Sequence, residues 1–595
     1  MRKPILLIVL AFIVLMANYC SSTKLTGVEK LSLVYTNYVD SFYAVSQQFN
    51  NIVQENATDS NLIRWHFRNY RIAYKKIELF VDYYYPSTAK AINGPALFEV
   101  EAENPAKPNP PSGFQVLEEK LFPFFDTGSI TLMKEQAALM ESLALRLKAS
   151  STTLTFTDQH FFDILKTSII RIETMGITGF DTPILQSAIK ELQVSLEALR
   201  DYTNTYTKEE DSNKALLRLS FAIDYLKSNH SFDDFDRAFF ITEFLNPLSN
   251  DLALLQQKLN IPYFNESRPL HVSATTIFDR NAWNAWFYSP IQKDVSNKQM
   301  IALGEKLFYD NRLSLNQTRS CASCHQANKA FTDGKIKSKS FDGKKLILRN
   351  TPTILYAGLQ PLQFADSRLV YLEDQAKQVI ENPNELHGNL KIAALVLQKD
   401  QLMQDQFLQS YKDSAISPGN IQTAIAAFIR SKSVFNTPFD QYMRGNKKAM
   451  SDEAVKGFNL FMGKAKCGTC HFMPLFNGVV PPHFNTMESE VIGVPSTNKS
   501  PYTLDADSGK YSMYQSMLHL HAFKTPTIRN ASKTAPYMHN GVYADLQSVL
   551  DFYNKGGGKG LGINVTNQTL PSNPLNLSTT EIQAIIQFIE TLTDQ

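Results

Sequence analysis

The amino-acid sequence predicts a mainly α-helical protein, and three observations support this fold class. Apolar residues recur about every 3.6 positions in stretches such as 185–199 and 215–226, which is the spacing of an amphipathic helix. From residue 297 onward, short helical patterns alternate with loops rich in Gly, Asn and Pro, and strand-like alternation is scarce. The chain has 595 residues, 43% of them hydrophobic, which is enough apolar material for two to four packed domains.

The charge balance excludes one broad class of partner. Lys and Arg together number 59 and Asp and Glu number 57, so the formal net charge is only +2. A nucleic-acid-binding protein is expected to be strongly basic. We therefore expect no nucleic-acid partner.

The first 20 residues have the features of an export signal. Met1-Arg2-Lys3 is basic, the run from Ile5 to Met16 is apolar, and the chain then turns polar. Cys20, followed by two serines, is placed like the lipid-attachment cysteine of a bacterial lipoprotein, although cleavage of an ordinary signal peptide near Cys20 is the alternative. Either way we expect an exported protein, in the periplasm or held by a lipid anchor at the membrane surface facing it.

The rest of the chain divides by composition. Residues 21–270 predict an all-helical domain of unassigned role, interrupted by a proline-rich break at 104–111 that neither a helix nor a central strand tolerates. Residues 271–296 are expected to form a linker that docks onto the C-terminal half of the chain. In that half, the long loops of residues 297–595 require something else in the core, and a bulky cofactor would serve.

Two motifs identify that cofactor. Cys321-Ala322-Ser323-Cys324-His325 and Cys467-Gly468-Thr469-Cys470-His471 share the spacing C-x-x-C-H. Two thiols one helical turn apart can add to the two vinyl groups of one haem, and the following His offers its imidazole to the iron. A zinc site made of the four thiolates would not explain the His after each pair. The sequence therefore predicts two covalently bound c-type haems.

The residues around the motifs resemble the bacterial di-haem cytochrome c peroxidase family, which includes MauG. The segments that carry this resemblance are 303–310, 330–334, 349–353, 364–368, 524–530 and 534–541. The resemblance covers about 297 to the C-terminus and says nothing about residues 25–270. It implies two cytochrome c-like haem domains, a peroxidatic one at 297–440 and an electron-relay one at 441–595.

The resemblance also implies roles for individual residues. His325 would be the proximal ligand of the reactive haem, and His471 that of the relay haem. Gln375 and Glu385 fall at the family's distal positions, and Glu385 would be the acid/base that moves a proton between the two oxygens of peroxide. Glu381 is the nearest alternative carboxylate. Without their match to the positions of the family's motif, Gln375 and Glu385 would be interpreted as ordinary surface residues.

The first departure from the family concerns the reactive haem. Many relatives carry a His, between the first motif and the Arg-Asn-x-Pro-Thr segment, that blocks the iron until the relay haem is reduced. Residues 335–345 contain no His, and the only nearby substitute is His387. We therefore expect an open iron site, with His387 as an ordinary loop residue.

The second departure concerns the relay haem. Where many relatives bring a Met to its sixth position, fourteen residues after His539, this chain has Tyr553, as in the MauG pattern. A phenolate stabilises ferric iron, so it should lower the potential. The alternatives are that Tyr553 is a core aromatic residue or that Met513 or Met517 supplies a thioether.

The resemblance also bears on the region between the two haems. The family usually has a Trp there, but segment 364–368 has none, so electrons would pass through other groups such as Phe364, Tyr356 or a linker Trp. Calcium between the haem domains would be bound by the side-chain oxygen of Asn350 and by the carbonyls of Thr534 and Pro536.

The leading functional hypothesis is an exported di-haem peroxidase that reduces hydrogen peroxide to water with electrons from a small redox protein such as a cytochrome c. A MauG-like oxidase that acts on a protein or organic substrate through high-valent haem is the first alternative. A non-enzymatic electron-transfer or peroxide-sensing protein is the second.

Overall fold

The computed structural model describes residues 25–100, 107–206, 213–291, 298–411 and 415–594. The predicted signal segment and Cys20 lie outside these residues. The prediction of a mainly helical protein is confirmed, since the described residues form many helices and one two-stranded antiparallel sheet. Strand β1 (Ser489–Glu490) pairs with strand β2 (Phe523–Lys524). In these ranges no helix combines the length and the apolar character that a membrane crossing requires.

The helices of the N-terminal half lie between residues 27 and 258, here called the helical domain, and the longest of them illustrates how they form. Helix α1 (Gly27–Glu55) begins with a capping box between Thr26 and Glu29 and buries one stripe that includes Leu31, Tyr35 and Val39. A single π-helical turn, Ile241–Leu245, joins α10 to α11. The other helices of this domain are α2 (Ser60–Lys75), α3 (Glu78–Tyr84), α4 (Pro86–Asn93), α5 (Phe114–Leu121), α6 (Ile130–Ser151), α7 (Asp158–Thr174), α8 (Ala188–Asn204), α9 (Asn213–Ser228), α10 (Arg237–Phe240) and α11 (Asn246–Lys258).

Residues 298–594 contain shorter helices joined by long loops, as the composition predicts. The helices are α12 (Lys298–Phe308), α13 (Leu372–Glu381), α14 (Leu390–Leu397), α15 (Gln401–Ser410), α16 (Pro418–Arg430), α17 (Pro438–Met443), α18 (Asp452–Met462), α19 (Tyr511–Tyr514), α20 (Leu546–Asn554), α21 (Gly557–Gly560) and α22 (Thr579–Glu590). Both haem motifs lie in loops that start with a single 3-10 turn.

The buried apolar residues form distinct cores, and one of these cores joins the helical domain to the second half of the haem-bearing region. The helical domain and most buried apolar residues from Phe435 onward belong to one continuous core. Most of those between 300 and 429 form a second core, and a small third one lies within residues 491–565. The expected linker is part of the shared core, because Ile277, Phe278 and Ala282 are buried in it. The helical domain is therefore packed against the half of the protein that carries the second motif.

A buried ion pair fixes the loop after the second motif. Arg529 and Asp440 form a two-pronged pair at 2.7 and 3.0 Å, and both side chains are 0% exposed. The Arg529 Nε also donates to the Pro474 carbonyl at 2.7 Å, three residues beyond His471. Burial alone would raise the pKa of Asp440, but the charge of Arg529 outweighs burial and lowers it.

Removing one charge of this pair should destabilise the protein strongly. Asp440→Asn leaves the Arg529 guanidinium buried without its counter-charge, which costs about 3–5 kcal/mol of unfolding free energy in comparable pairs. Because the pKa of Asp440 is lowered, this stabilisation is present above the usual carboxyl range and is lost as pH falls. Urea unfolding of the holoprotein at several pH values measures both effects.

Asp452→Asn provides the control for that experiment. Asp452 is exposed in the first turn of α18, where a carboxylate contributes at most about 1 kcal/mol through the helix dipole. Equal destabilisation by the two substitutions would contradict the structural role assigned to the buried pair.

Candidate haem sites and active site

Each half that carries a motif contains a pair of crossing helices, and the two pairs pack in the same way. In the first half α12 crosses α16, where a Cβ on Gly304 would lie 1.9 Å from the carbonyl oxygen of Ala424. In the second half α18 crosses α22, where a Cβ on Gly457 would lie 1.9 Å from the carbonyl oxygen of Ala584. Only glycine permits helices to approach this closely, so the two halves repeat one packing solution.

The two motif histidines are oriented in the same way. The Nδ1 of His325 lies 3.0 Å from the Phe331 carbonyl, and the Nδ1 of His471 lies 3.1 Å from the Phe476 carbonyl. A ring that donates through Nδ1 presents a free Nε2 lone pair, which is the atom an iron needs. Burial lowers the pKa of both histidines and so favours the neutral, ligating form.

One continuous cavity of about 2850 Å³ brings the predicted site residues together. It is larger than the roughly 300–1,000 Å³ of a typical single-ligand pocket. Burial raises the pKa of the Cys321 and Cys467 thiols to about 12, so both are neutral before any reaction. The predicted residues that line it are Cys321, Cys324, His325, Asn350, Gln375, Glu385, Cys467, Cys470, His471, Thr534, Pro536 and Tyr553. Two thiol pairs and two oriented imidazoles on one large cavity fit two haems.

Glu385 lies in the loop after α13 and faces the cavity near the first motif. Its Oε1 accepts a hydrogen bond from Asn382 Nδ2 at 2.8 Å, while its Oε2 has no partner among the described residues. Burial raises the pKa of Glu385, and the nearby charge of Arg368 only partly offsets the shift. A carboxyl with a free oxygen and a raised pKa can accept and return a proton.

Gln375 also lines the cavity, and the alternative residues do not. Its side chain, in the first turns of α13, makes no hydrogen bond with any described residue. Glu381 ends the same helix but is exposed and does not line the cavity. His387 is also exposed and outside the lining, with its ring 5.5 Å from that of Phe341.

Tyr553 lies on α20 and faces the part of the cavity that carries the second motif. Burial raises the pKa of its phenol, and charge on Cys467 and Cys470 would raise it further. The hydroxyl has no hydrogen-bond partner in the described part of the chain. The residue is half-buried and its hydroxyl is accessible from the cavity, where it can meet a ligand.

The methionine alternatives to Tyr553 are placed differently. Met513 is 45% exposed and Met517 is 65% exposed, and neither lines the cavity. In the described structure, Tyr553 is therefore the better placed of the three candidate ligands.

Glu490 lies beside the second motif, and sequence reasoning missed it. Its Oε1 is 3.7 Å from the Cys470 Sγ, and the Thr569 hydroxyl donates to its other oxygen. Burial raises the pKa of Glu490 to about 7. The pairing of β1 with β2 brings this carboxyl to the cavity, and no local sequence motif predicts such a contact.

The predicted calcium residues Asn350, Thr534 and Pro536 all line the large cavity, and Asn350 contacts the segment that follows Pro536. The Asn350 backbone N–H donates to the His539 carbonyl at 2.7 Å, and its Nδ2 donates to the Lys335 carbonyl at 2.8 Å, which leaves its Oδ1 free. Thr534 and Pro536 line the same cavity. Within the described ranges no cluster of three or more His, Cys, Asp or Glu side chains could hold a metal ion.

The linker tryptophans lie away from the cavity. The Trp283 ring stacks on Phe435 at 5.7 Å, and Trp286 lies 5.0 Å from the Arg430 guanidinium. Neither residue lines the cavity, whereas Phe364 does.

Comparison with known proteins identifies the family. A family model described as di-haem cytochrome c peroxidase matches residues 298–448. The cytochrome-c peroxidase IdrP2 of Pseudomonas sp. (strain SCT) is 33% identical over 319 residues, which are 50% of this chain and 82% of that protein. The chain belongs to the di-haem cytochrome c peroxidase family.

Other members of the family and related structures are similar over the same share of the chain. The methylamine utilization protein MauG of Methylorubrum extorquens is 30% identical over 295 residues, which are 49% of this chain and 78% of that protein. The crystal structure of a MauG-like protein associated with microbial copper homeostasis is 27% identical, with a TM-score of 0.43, and covers 50% of this chain and 90% of that one.

Membership makes this chain a cytochrome-c peroxidase-like oxidoreductase. The family implies two haems, peroxide as a substrate and a cytochrome as electron donor. The non-enzymatic hypothesis is accordingly the weakest of the three. The family model lies wholly beyond residue 270, so the helical domain is an addition to the matched region.

Proposed function

We propose that this protein is an exported di-haem c-type peroxidase that reduces hydrogen peroxide to water with electrons from a small redox protein. Glu385 carries the proposal, because it places a carboxyl with a raised pKa and a free oxygen on the cavity wall near Cys321 and Cys324. An electron-transfer protein without peroxide chemistry has no need of such a group.

In this proposal each motif holds one haem. Cys321 and Cys324 would hold the first through thioether bonds, with His325 available to its iron. Cys467 and Cys470 would hold the second, with His471 and Tyr553 available to ligate its iron. A bound haem would supply the redox-active iron that the chain lacks, and the second haem would exchange electrons with the first.

The protein's own contribution is to move protons and position peroxide. Ionised Glu385 accepts the proton of one peroxide oxygen and returns it to the other, so that the second oxygen can leave as water. The oxygen left behind needs two electrons and two protons to become the second water, and bound haems would pass it the donor's electrons. The Gln375 amide, free of other partners in the described structure, donates a hydrogen bond that orients the peroxide. Asn382 holds the Glu385 carboxyl in place through its hydrogen bond to Oε1.

Two features outside the haem sites belong to the same proposal. Asn350, Thr534 and Pro536 bind calcium through oxygen atoms and so join the two halves. Cys20 anchors the exported protein to the membrane surface through a lipid.

A MauG-like oxidase is the second candidate, and Tyr553 favours it. An anionic phenolate on the second iron would stabilise oxidised states of the pair, which suits oxidation of a protein or organic substrate better than turnover with an ordinary cytochrome. The absence of His from residues 335–345 agrees with this alternative as well.

The fully ferric protein should react with hydrogen peroxide without prior reduction. No His of segment 335–345 is available to block the first iron, and His387 lies outside the cavity lining. Stopped-flow absorption of the ferric holoprotein mixed with peroxide, beside a sample reduced by one electron, measures this. A reaction seen only in the reduced sample would show that an unrecognised ligand blocks the site.

A further inference from the structure

Four charged side chains form a continuous chain between the two halves of the haem-bearing region. Arg349 donates from Nε and Nη2 to the two carboxylate oxygens of Asp507, at 2.7 and 3.0 Å, and from Nη1 to Asp366 at 2.6 Å. Asp366 also accepts from Nη1 of Arg368, at 2.8 and 3.0 Å. Asp507 belongs to the second half, and the other three residues belong to the first. We call these four residues the ion-pair chain.

The carboxylates of the ion-pair chain are held rigidly. The side chains of Asp366 and Asp507 are only 5% and 4% exposed, so little water competes for their oxygens. The turn that carries Asp366 and Arg368 is closed by the Gln363 N–H, which donates to the Leu369 carbonyl at 2.6 Å. Because a two-pronged Arg–carboxylate pair fixes the orientation of both groups, the ion-pair chain holds its members in one arrangement.

Arg368 extends the ion-pair chain to the helix that carries a proposed site residue. Its Nε donates to Oε1 of Gln378 at 2.9 Å, and Gln378 lies one turn after Gln375 on α13. Glu385 follows in the loop after the same helix, and it lines the cavity together with Arg368 and Gln375. The guanidinium of Arg368 also lies 3.5 Å from the centre of the Phe364 ring. Arg368 is therefore fixed between a buried carboxylate, an aromatic ring and α13.

The charge of Arg368 also acts on Glu385. Burial raises the pKa of Glu385, while the Arg368 guanidinium and the hydrogen bond from Asn382 lower it. The other titratable groups that act on this carboxyl are the thiols of Cys321 and Cys324, which no longer titrate once thioether bonds form. Arg368 therefore favours the ionised form of Glu385, which the proposed reaction requires at its start.

We propose that Arg368 is a positioning residue for Glu385 and that the ion-pair chain anchors it to the second half of the haem-bearing region. Arg368 acts through Glu385 rather than on peroxide, because it braces α13 and holds a stationary positive charge beside the carboxyl. This inference rests on the proposed function, which gives Glu385 its acid/base role. It adds that the second half helps to build the site of peroxide chemistry in the first.

Two substitutions of Arg368 in the holoprotein test the positioning role. Arg368→Gln should lower kcat/KM for peroxide by up to about 100-fold, the cost of displacing a catalytic group by roughly 1 Å. The acidic limb of its pH profile should move to higher pH, because loss of the positive charge raises the pKa of Glu385. Arg368→Lys keeps the charge but not the planar fork, so its limb should stay in place while kcat/KM remains reduced. An unmoved limb in Arg368→Gln would overturn the proposal.

Arg312→Gln is the matched control. Like Arg368, Arg312 pairs with the Asp two residues before it, and the two Arg side chains are 26% and 24% exposed. Arg312 does not line the cavity. Its substitution should leave both kcat/KM and the acidic limb unchanged. A comparable change in the two variants would show a general structural defect and would contradict the positioning role.

Infrared absorption of the carboxyl group gives a readout that needs no turnover. The difference between each holoprotein and its Glu385→Gln counterpart isolates the titration of Glu385, which should lie at higher pH in Arg368→Gln than in the wild type. This shift in an enzyme that consumes no peroxide would support the positioning role and contradict the proposed function. An unshifted titration with a changed reduction potential of the first haem would show that Arg368 acts on the haem, and the proposal would fail.

A double-mutant cycle tests the anchor in the second half. Asp507→Asn cuts the ion-pair chain at its far end, so Arg349 no longer ties Asp366 to the second half. This substitution should lower kcat/KM at least about 2-fold in the wild type, the low end of coupling within one ion-pair network, and should cause no further loss in Arg368→Gln. Arg349→Gln cuts the same link and should give the same pattern, which keeps the test if Asp507→Asn does not fold. Equal losses in the two backgrounds would show that the second half does not act through Arg368 and would overturn the proposal.

Discussion

Replacing Glu385 with Gln should slow peroxide consumption by about 100-fold to 10,000-fold, the usual contribution of a positioned acid/base. The amide keeps the shape of the side chain but cannot accept and return a proton. Both haem spectra should remain unchanged, because Glu385 is not proposed as a ligand of either iron. Initial rates of peroxide loss, measured with a small reductant in saturating amount, give the effect.

The pH profile adds a readout that a structural defect would not reproduce. The reaction needs Glu385 ionised at the start, and burial raises its pKa, so wild-type activity should fall as pH drops toward that raised value. The Glu385→Gln variant should lose this limb of the profile. Glu381→Gln is the matched control, since Glu381 is exposed at the end of α13. Normal turnover in Glu385→Gln, or a comparable loss in Glu381→Gln, would move the proton-transfer role elsewhere.

Substitution of Tyr553 should change the reduction potential of the second haem strongly. An anionic oxygen on ferric iron disfavours the addition of an electron, so Tyr553→Met should raise that haem's potential substantially within the roughly 0.8 V span that axial ligands set. Tyr553→Phe should leave the iron open to cyanide. Spectroelectrochemical titration of the wild type and both variants measures the potentials.

A neighbouring tyrosine serves as the control for Tyr553. Tyr543 is buried, packs against Phe552 at 5.6 Å and does not line the cavity. Tyr543→Phe should leave the second haem's potential and cyanide binding unchanged. If Tyr553→Phe behaves like this control, Tyr553 is a packing residue, and a MauG-like role loses its main support.

Local sequence patterns predicted the features that depend on local geometry. The C-x-x-C-H spacing predicts both attachment sites, because the chemistry of thioether formation needs residues that are close together in the chain, and the structure places both motifs on the cavity. The helical character of residues 25–270 followed from their periodicity. The family register pointed to Glu385 rather than Glu381. In the structure Glu381 is the last residue of α13 and is exposed. Glu385 lies in the loop that follows, lines the cavity and accepts a hydrogen bond from Asn382.

The internal repeat of the haem-bearing half could also have been found. Gly304 and Gly457 each begin a segment that ends in Leu-Phe, and Thr-Pro-Thr occurs at 351–353 and at 525–527. Thr353 Oγ1 donates to the Ala330 carbonyl and Thr527 Oγ1 to the Leu475 carbonyl, so the second Thr of each segment has the same role. These short signals mark one structural unit used twice.

Contacts between distant segments could not be predicted in this way. Glu490 reaches the second motif through the short sheet, and Thr178 reaches Gly468 from the helical domain, nearly 300 residues earlier in the chain. Such contacts depend on how whole domains pack, for which a single sequence carries no periodic or spacing signal. The roles of Glu385, Gln375, Tyr553 and the calcium residues remain predictions.

Low-temperature EPR of the fully ferric holoprotein tests the central claim most directly, because it reports the ligands of both irons at once. We expect one high-spin signal from a first haem held by His325 alone, and one separate signal from a second haem held by His471 and Tyr553. Addition of cyanide should convert only the high-spin signal. Two low-spin signals before cyanide is added would show that both irons are closed and would contradict the proposed open site at the first haem.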